Sequence, residues 1–353
     1  MNRNDDFINN DFNTDINGDS YEAPIPVWEM PNEYDAQTLN KKREVKWLAN
    51  AIGLALCLQV FLIYAIDFIV VALFNNFASD EQFANFLMPT VQRLYGAAKS
   101  LIIMTVPFIL TSKLSGIRLI NLLNFKKSQK GRALPVIMIG VGVCSIANMA
   151  TSIFAVLFES AFGTAVQGAP STTGGGTVPF TVSLVCVGIL PALVEEFAFR
   201  GVILGVLRKR ASDGMAIFVS ALLFSLVHGN LQQIPFAFIV GLVLAYAVIY
   251  TGSIIPAMII HALNNVCTVV LTYASIGLSP QVSGLIFWLY LLTFILIGLC
   301  GLVVTLKTDE NAFKLSQRNS ADTKNNITWF FSSAFLVFFL VICILETFYY
   351  QFG

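Results

Sequence analysis

Pro191-Ala-Leu-Val-Glu195-Glu196-Phe-Ala-Phe-Arg200-Gly201 sets three charges into an otherwise apolar run. One charge at the centre of a bilayer costs about 2.5–3.5 kcal/mol even on insertion-based scales. Such residues persist when they are paired or when they do chemistry, and the spacing here suggests both. Residues four apart share a helix face, so Glu196 and Arg200 form a candidate structural pair. Glu195 points about 100° away from Glu196 and is the carboxylate left over.

The chain's two histidines follow downstream, His228 in Phe224-Ser-Leu-Val-His228-Gly and His261 in His261-Ala-Leu-Asn264-Asn265. A spare glutamate, two imidazoles and an amide make a hydrolytic set, and the reading is an intramembrane protease. Asn264 and Asn265 lie three and four residues after His261 and share its face. Counting residues from the nearest basic cluster puts Glu195 and His228 about 20 Å deep and His261 about 12 Å deep. Overlapping depth is legible, but lateral convergence is not. The argument for convergence is that intramembrane polar groups face a protein interior or a wet cavity.

The composition agrees with a membrane setting. Of 353 residues, 56% are hydrophobic and 12% charged, with mean hydropathy +0.73. Soluble domains carry roughly a quarter charged residues. Zero net charge and the lack of a basic patch interleaved with aromatics exclude a nucleic-acid reading. The six cysteines all fall in apolar segments without CxxC spacing, as small buried hydrophobes do.

Residues 1–45 are expected to form a disordered, acidic cytoplasmic tail without a signal peptide. Apolar runs follow at about 47–74, 95–112, 134–158, 178–199, 214–230, 235–250, 254–275, 284–306 and 328–348. Each approaches the ~20 residues that span a bilayer, though the fifth and sixth are short. The expected fold is all-α, a polytopic membrane bundle of eight or nine transmembrane helices. Its parts are N-terminal spans over 46–177, a catalytic core over 178–275 and C-terminal spans over 276–353.

Basic residues cluster at Lys41–Lys46, in 113–132, at Arg208-Lys209-Arg210 and in 307–324. The intervening segments hold one, Arg93. This positive-inside pattern predicts a multi-pass cell-membrane protein with a cytoplasmic N-terminus and, with nine spans, a C-terminus outside. The glycine-rich 171–177 stretch lacks the Gly-Lys-Ser/Thr of a phosphate loop and reads as a linker. Asp67 reads as a helix-pairing residue. Glu346 reaches the interface and receives no role.

Glu195-Glu196-x-x-x-Arg200-Gly201, Phe224-x-x-x-His228 and His261-x-x-x-Asn265, in that order, resemble the three motifs of the CPBP family. These are the CAAX-protease and bacteriocin-processing proteins, also called Abi or Rce1-type intramembrane proteases. The resemblance covers about residues 180–270. It implies that Glu195, helped by His228, activates a water against a peptide carbonyl. His261 and Asn265 would stabilise the oxyanion, while Glu196 and Arg200 hold the helix. It further implies a hydrophobic, lipidated or membrane-associated peptide or protein as substrate. The family's metalloprotease label would make Glu195, His228 and His261 zinc ligands, although HExxH is absent. Two other classes remain open at this stage: a non-catalytic scaffold or bacteriocin-immunity protein, and a transporter using the carboxylate as a proton relay. No internal repeat supports the latter.

Overall fold

The computed structural model of the protein describes residues 33–74, 81–126, 128–129, 131–167, 178–316 and 323–352. Among these, every regular element is a helix. They run α1 (Glu33–Phe74), α2 (Glu81–Leu114), α3 (Leu119–Leu122), α4 (Ala133–Phe162) and α5 (Phe180–Leu207). Then come α6 (Asp213–Leu226), α7 (Gln233–Thr251), α8 (Ile255–Ala274), α9 (Pro280–Thr308), α10 (Thr323–Phe331) and α11 (Ala334–Phe352). Helix α1 opens at Glu33, inside the segment expected to be tail. Residues 1–32 and the glycine-rich 171–177 stretch lie outside the described residues. The chain divides into a small unit, Met1–Lys41, and the main body, Lys42–Gly353.

Eight of the helices are long and apolar enough to cross a membrane, so the protein is a polytopic helical bundle. The run at 214–230, expected as a ninth span, is instead a helix of 14 residues. That is about 21 Å long, short of a ~30 Å hydrocarbon layer. Ser212 caps its start by accepting from the Met215 amide. The chain then turns at Gly229, whose φ of 63° suits glycine, and returns as α7. Gly241 makes the return possible, because a Cβ there would stand 3.1 Å from Ala221.

The basic segments gather at one face of the body. Arg132 Nη1 donates to the Tyr250 carbonyl at 3.0 Å, and Nη2 pairs with Asp309 at 2.7 Å. The Gln129 amide donates to Thr251 O, and the Ile254 amide to Asn124 O. Arg208 pairs with Asp213 and Arg210 with Glu44. The α6–α7 hairpin therefore enters and leaves at the same face, and the alternation of basic segments holds with one span fewer. At the opposite face Tyr273 donates to the Val178 carbonyl at 2.6 Å. There Gln351, near the end of α11, donates to Ala165 O at 3.0 Å.

Close helix approach relies on glycine. A Cβ on Gly142 of α4 would stand 2.7 Å from Gly298 Cα of α9, which is how small residues let membrane helices pack. Asp67 takes the Lys99 ammonium at 2.8 Å and the Tyr95 hydroxyl, joining α1 to α2. Glu346 also has a partner, the Tyr64 hydroxyl at 2.6 Å, and so ties α11 to α1. Large apolar side chains such as Phe68, Val156, Leu285 and Ile344 stand exposed, as a lipid-facing surface requires.

Candidate active site

Helix α5 carries the acidic pair on unusual backbone. Leu184–Ile189 and Phe197–Ile203 are π-helical and flank the α-turns Leu190–Glu196. Such widened turns are rare and concentrate at functional sites. Pro191 sits at the junction, where its missing N–H is tolerated in a first turn. Glu195 and Glu196 thus occupy the last α-turn before the helix widens.

Glu196 is fully buried, and Arg200 Nη1 donates to its Oε1 at 2.9 Å. Arg200 Nη2 donates to Gly241 O of α7 at 3.2 Å. The guanidinium also lies 4.1 Å from the centre of the Phe224 ring, a contact worth about 2 kcal/mol when desolvated. Phe224 is shared, since its ring meets both His228 and His261 edge-on at 5.1 and 5.9 Å. One aromatic ring therefore gathers the guanidinium of α5, the imidazole after α6 and the imidazole of α8.

His261 is held between the two glutamates. Its Nδ1 lies 2.9 Å from Glu196 Oε1, and its Nε2 lies 3.8 Å from Glu195 Oε2. A carboxylate only accepts, so Nδ1 carries the proton there and Nε2 turns toward Glu195.

His228 lies in the turn after α6, with Nδ1 bound to the Phe224 carbonyl at 2.8 Å. A carbonyl accepts, so Nε2 is left as the free acceptor. Asn230 braces this turn: its Nδ2 donates to the His228 carbonyl at 2.8 Å, and its Oδ1 accepts from the Gln233 amide at 2.9 Å. On α8, Asn264 Nδ2 donates to Asn265 Oδ1 at 3.2 Å, which leaves the Asn265 amide group for another acceptor.

Glu195, His228, His261 and Asn265 all line one cavity of about 770 Å³. The lateral convergence that depth alone left open is present. The buried pair Glu196–Arg200 stands behind this cavity, and Glu196 has a second function: it orients His261. Sequence reasoning missed three further lining residues, Asn148, Thr151 and Ser152 of α4. Their spacing at i, i+3 and i+4 was a readable polar stripe in an apolar helix. The Thr151 hydroxyl is buried without a hydrogen-bond partner among the described residues. Among the described residues, no three His, Cys, Asp or Glu side chains are grouped to hold a metal ion.

Fold and cavity together define a class: a multi-pass helical membrane protein with an acid–imidazole–amide chamber among its helices. Residues 177–267 match the family described as type II CAAX prenyl endopeptidase Rce1-like. Over 85 residues the chain is 34% identical to the membrane-embedded CAAX protease MroQ of Staphylococcus aureus (strain USA300). That alignment covers 22% of this chain and 34% of the relative, so about a third of the relative's length is spanned. No solved structure matches significantly. Over residues 177–267 the chain is thus similar to CAAX-type membrane proteases.

Proposed function

We infer that the protein is an intramembrane endopeptidase that hydrolyses a peptide bond in a hydrophobic, lipidated or membrane-associated substrate. The observation that carries this reading is the shared cavity, with His261 clamped between Glu196 and Glu195.

A water between Glu195 and His228 gives one proton to the Glu195 carboxylate while its oxygen attacks the carbonyl carbon. His228 Nε2 accepts a hydrogen bond from the water's other O–H, which stays on the attacking oxygen, and so orients it. The carbonyl oxygen becomes an oxyanion, which receives N–H from Asn265 Nδ2 and from Nε2 of a doubly protonated His261, whose Nδ1–H stays on Glu196. Each such donor is worth about 3–4 kcal/mol in a preorganised site. Collapse re-forms the C=O bond and breaks the C–N bond, and Glu195 returns its proton to the leaving nitrogen. Glu196 and Arg200 position His261 and stay out of the proton transfers.

Zinc is the second form of the proposal. Glu195, His228 and His261 are the side chains that would hold it, and it would polarise the carbonyl. The steps above use the protein's own groups, because no ligand trio is assembled among the described residues. The basic face is assigned to the cytoplasm of a cell-membrane protein on the positive-inside rule, which gives a cytoplasmic N-terminus. The test is mass analysis of a hydrophobic peptide incubated with the purified protein in heavy-oxygen water. Hydrolysis leaves one heavy oxygen in the new carboxylate. A scaffold or immunity protein returns the peptide intact.

A further inference from the structure

A second cavity, of about 850 Å³, opens at the basic face and shares with the site above only the positioning residue Arg200. It lies between the connector that carries α3 and the end of α5 with the turn after it. Its apolar wall includes Leu122, Leu204 and Val248. Its charged lining comprises Lys126, Arg200, Arg208, Lys209 and Asp213.

The charges do not cancel. Arg200 is matched by Glu196 and Arg208 by Asp213. Lys126 and Lys209 are both exposed, and no carboxylate among the described residues pairs with either. The lining thus carries two surplus positive charges. In addition Arg200, almost wholly buried, keeps an Nε without a hydrogen-bond partner among the described residues. A fully buried guanidinium with a spare donor, under a rim of two free ammonium groups, is a site built for an anion.

The surroundings say which anion. The cavity lies at the level where the spans end, at Leu114 of α2 and Leu207 of α5. Ile120 and Phe125 on the connector are 74% and 51% exposed beside Lys126. Exposed apolar and aromatic side chains next to a lysine mark a segment seated at the lipid–water boundary. A half-apolar, half-basic cavity between helix ends at that depth matches a lipid whose headgroup is a phosphate and whose chains follow the apolar wall.

We propose that this cavity binds the phosphate headgroup of an anionic membrane phospholipid, held by Lys126 and Lys209. The site is separate from peptide hydrolysis and stands whether or not the protein cleaves peptides.

The test is native mass spectrometry of the full chain in neutral detergent, titrated with short-chain phosphatidylglycerol, phosphatidylcholine of the same chains, or inorganic phosphate. The expected result is preferential retention of phosphatidylglycerol. Each lysine near an anionic surface is worth about fivefold in affinity. Lys126→Gln with Lys209→Gln should therefore weaken phosphatidylglycerol about twenty-five-fold and leave phosphatidylcholine unchanged. Equal retention of both lipids, or an unaltered preference in the double variant, overturns the proposal. Inorganic phosphate competing as well as the lipid also overturns it, in favour of a site for free phosphate. Both lysines lie outside the catalytic cavity, and an unchanged melting temperature in neutral detergent shows that the variant is folded.

Discussion

His261 Nδ1 lies 2.9 Å from Glu196 Oε1, so the glutamate that pairs with Arg200 also fixes the imidazole of another helix. The ion pair within α5 and the orientation of α8 are thereby one structure. A carboxylate behind an imidazole sets its tautomer and ring plane.

Breaking that structure from one side leaves a buried charge unmatched. Arg200→Met should lower stability by about 3–5 kcal/mol. Glu196→Gln with Arg200→Met should cost less than the sum of the two single changes, since the pair is removed together. Thermal unfolding in detergent reads both. Additive losses would show that the two side chains do not act as a unit.

His228 lies in a turn, and Asn230 closes that turn through the His228 carbonyl and the Gln233 amide. His228→Ala should reduce cleavage by about 10²–10⁴-fold, the range for a lost acid–base group, with little change in melting temperature. Asn230→Ala should also reduce cleavage, because it frees the turn that Asn230 closes onto the Gln233 amide. A full-rate Asn230→Ala enzyme would show that the turn needs no brace.

Helix α4 carries the polar stripe that lines the cavity, and its seat on α9 is set by Gly142, Gly298 and Gly301. Gly142→Ala should push the helices apart at the 2.7 Å approach to Gly298. The cost of such overpacking is about 1–3 kcal/mol, because the obstructing atom is backbone and cannot swing away. Gly96→Ala, with nothing near its Cβ, is the neutral control. Equal melting temperatures for the two variants would remove the close crossing from the account.

Metal dependence has a direct readout. With the side chains alone doing the chemistry, a chelator should leave cleavage within about twofold, a change of under half a kcal/mol in barrier. Loss restored by zinc would assign Glu195, His228 and His261 as ligands instead.

The spans were legible because a helix in lipid must be apolar for about twenty residues, and such runs are visible in sequence. The exception was the run after Gly214. Its apolar character continues through Val227, so length gave no sign that the chain turns at Gly229. The ion pair Glu196–Arg200 was legible because i, i+4 spacing encodes it locally. The Glu196–His261 contact was not, since those residues are 65 apart and only packing brings α5 to α8. The π-turns flanking Glu195 and Glu196 left no mark in residue type. Glu346 was given no role for the same reason, as its partner Tyr64 lies 282 residues away.

The central claim is that Glu195 withdraws a proton from water in a chamber it shares with His228, His261 and Asn265. The most direct measurement is single-turnover cleavage of a hydrophobic reporter peptide by Glu195→Gln, which keeps the shape and removes the base. The account predicts a fall of at least about 10²-fold in the chemical step with peptide binding and melting temperature unchanged. Cleavage by Glu195→Gln at the parent rate would contradict it.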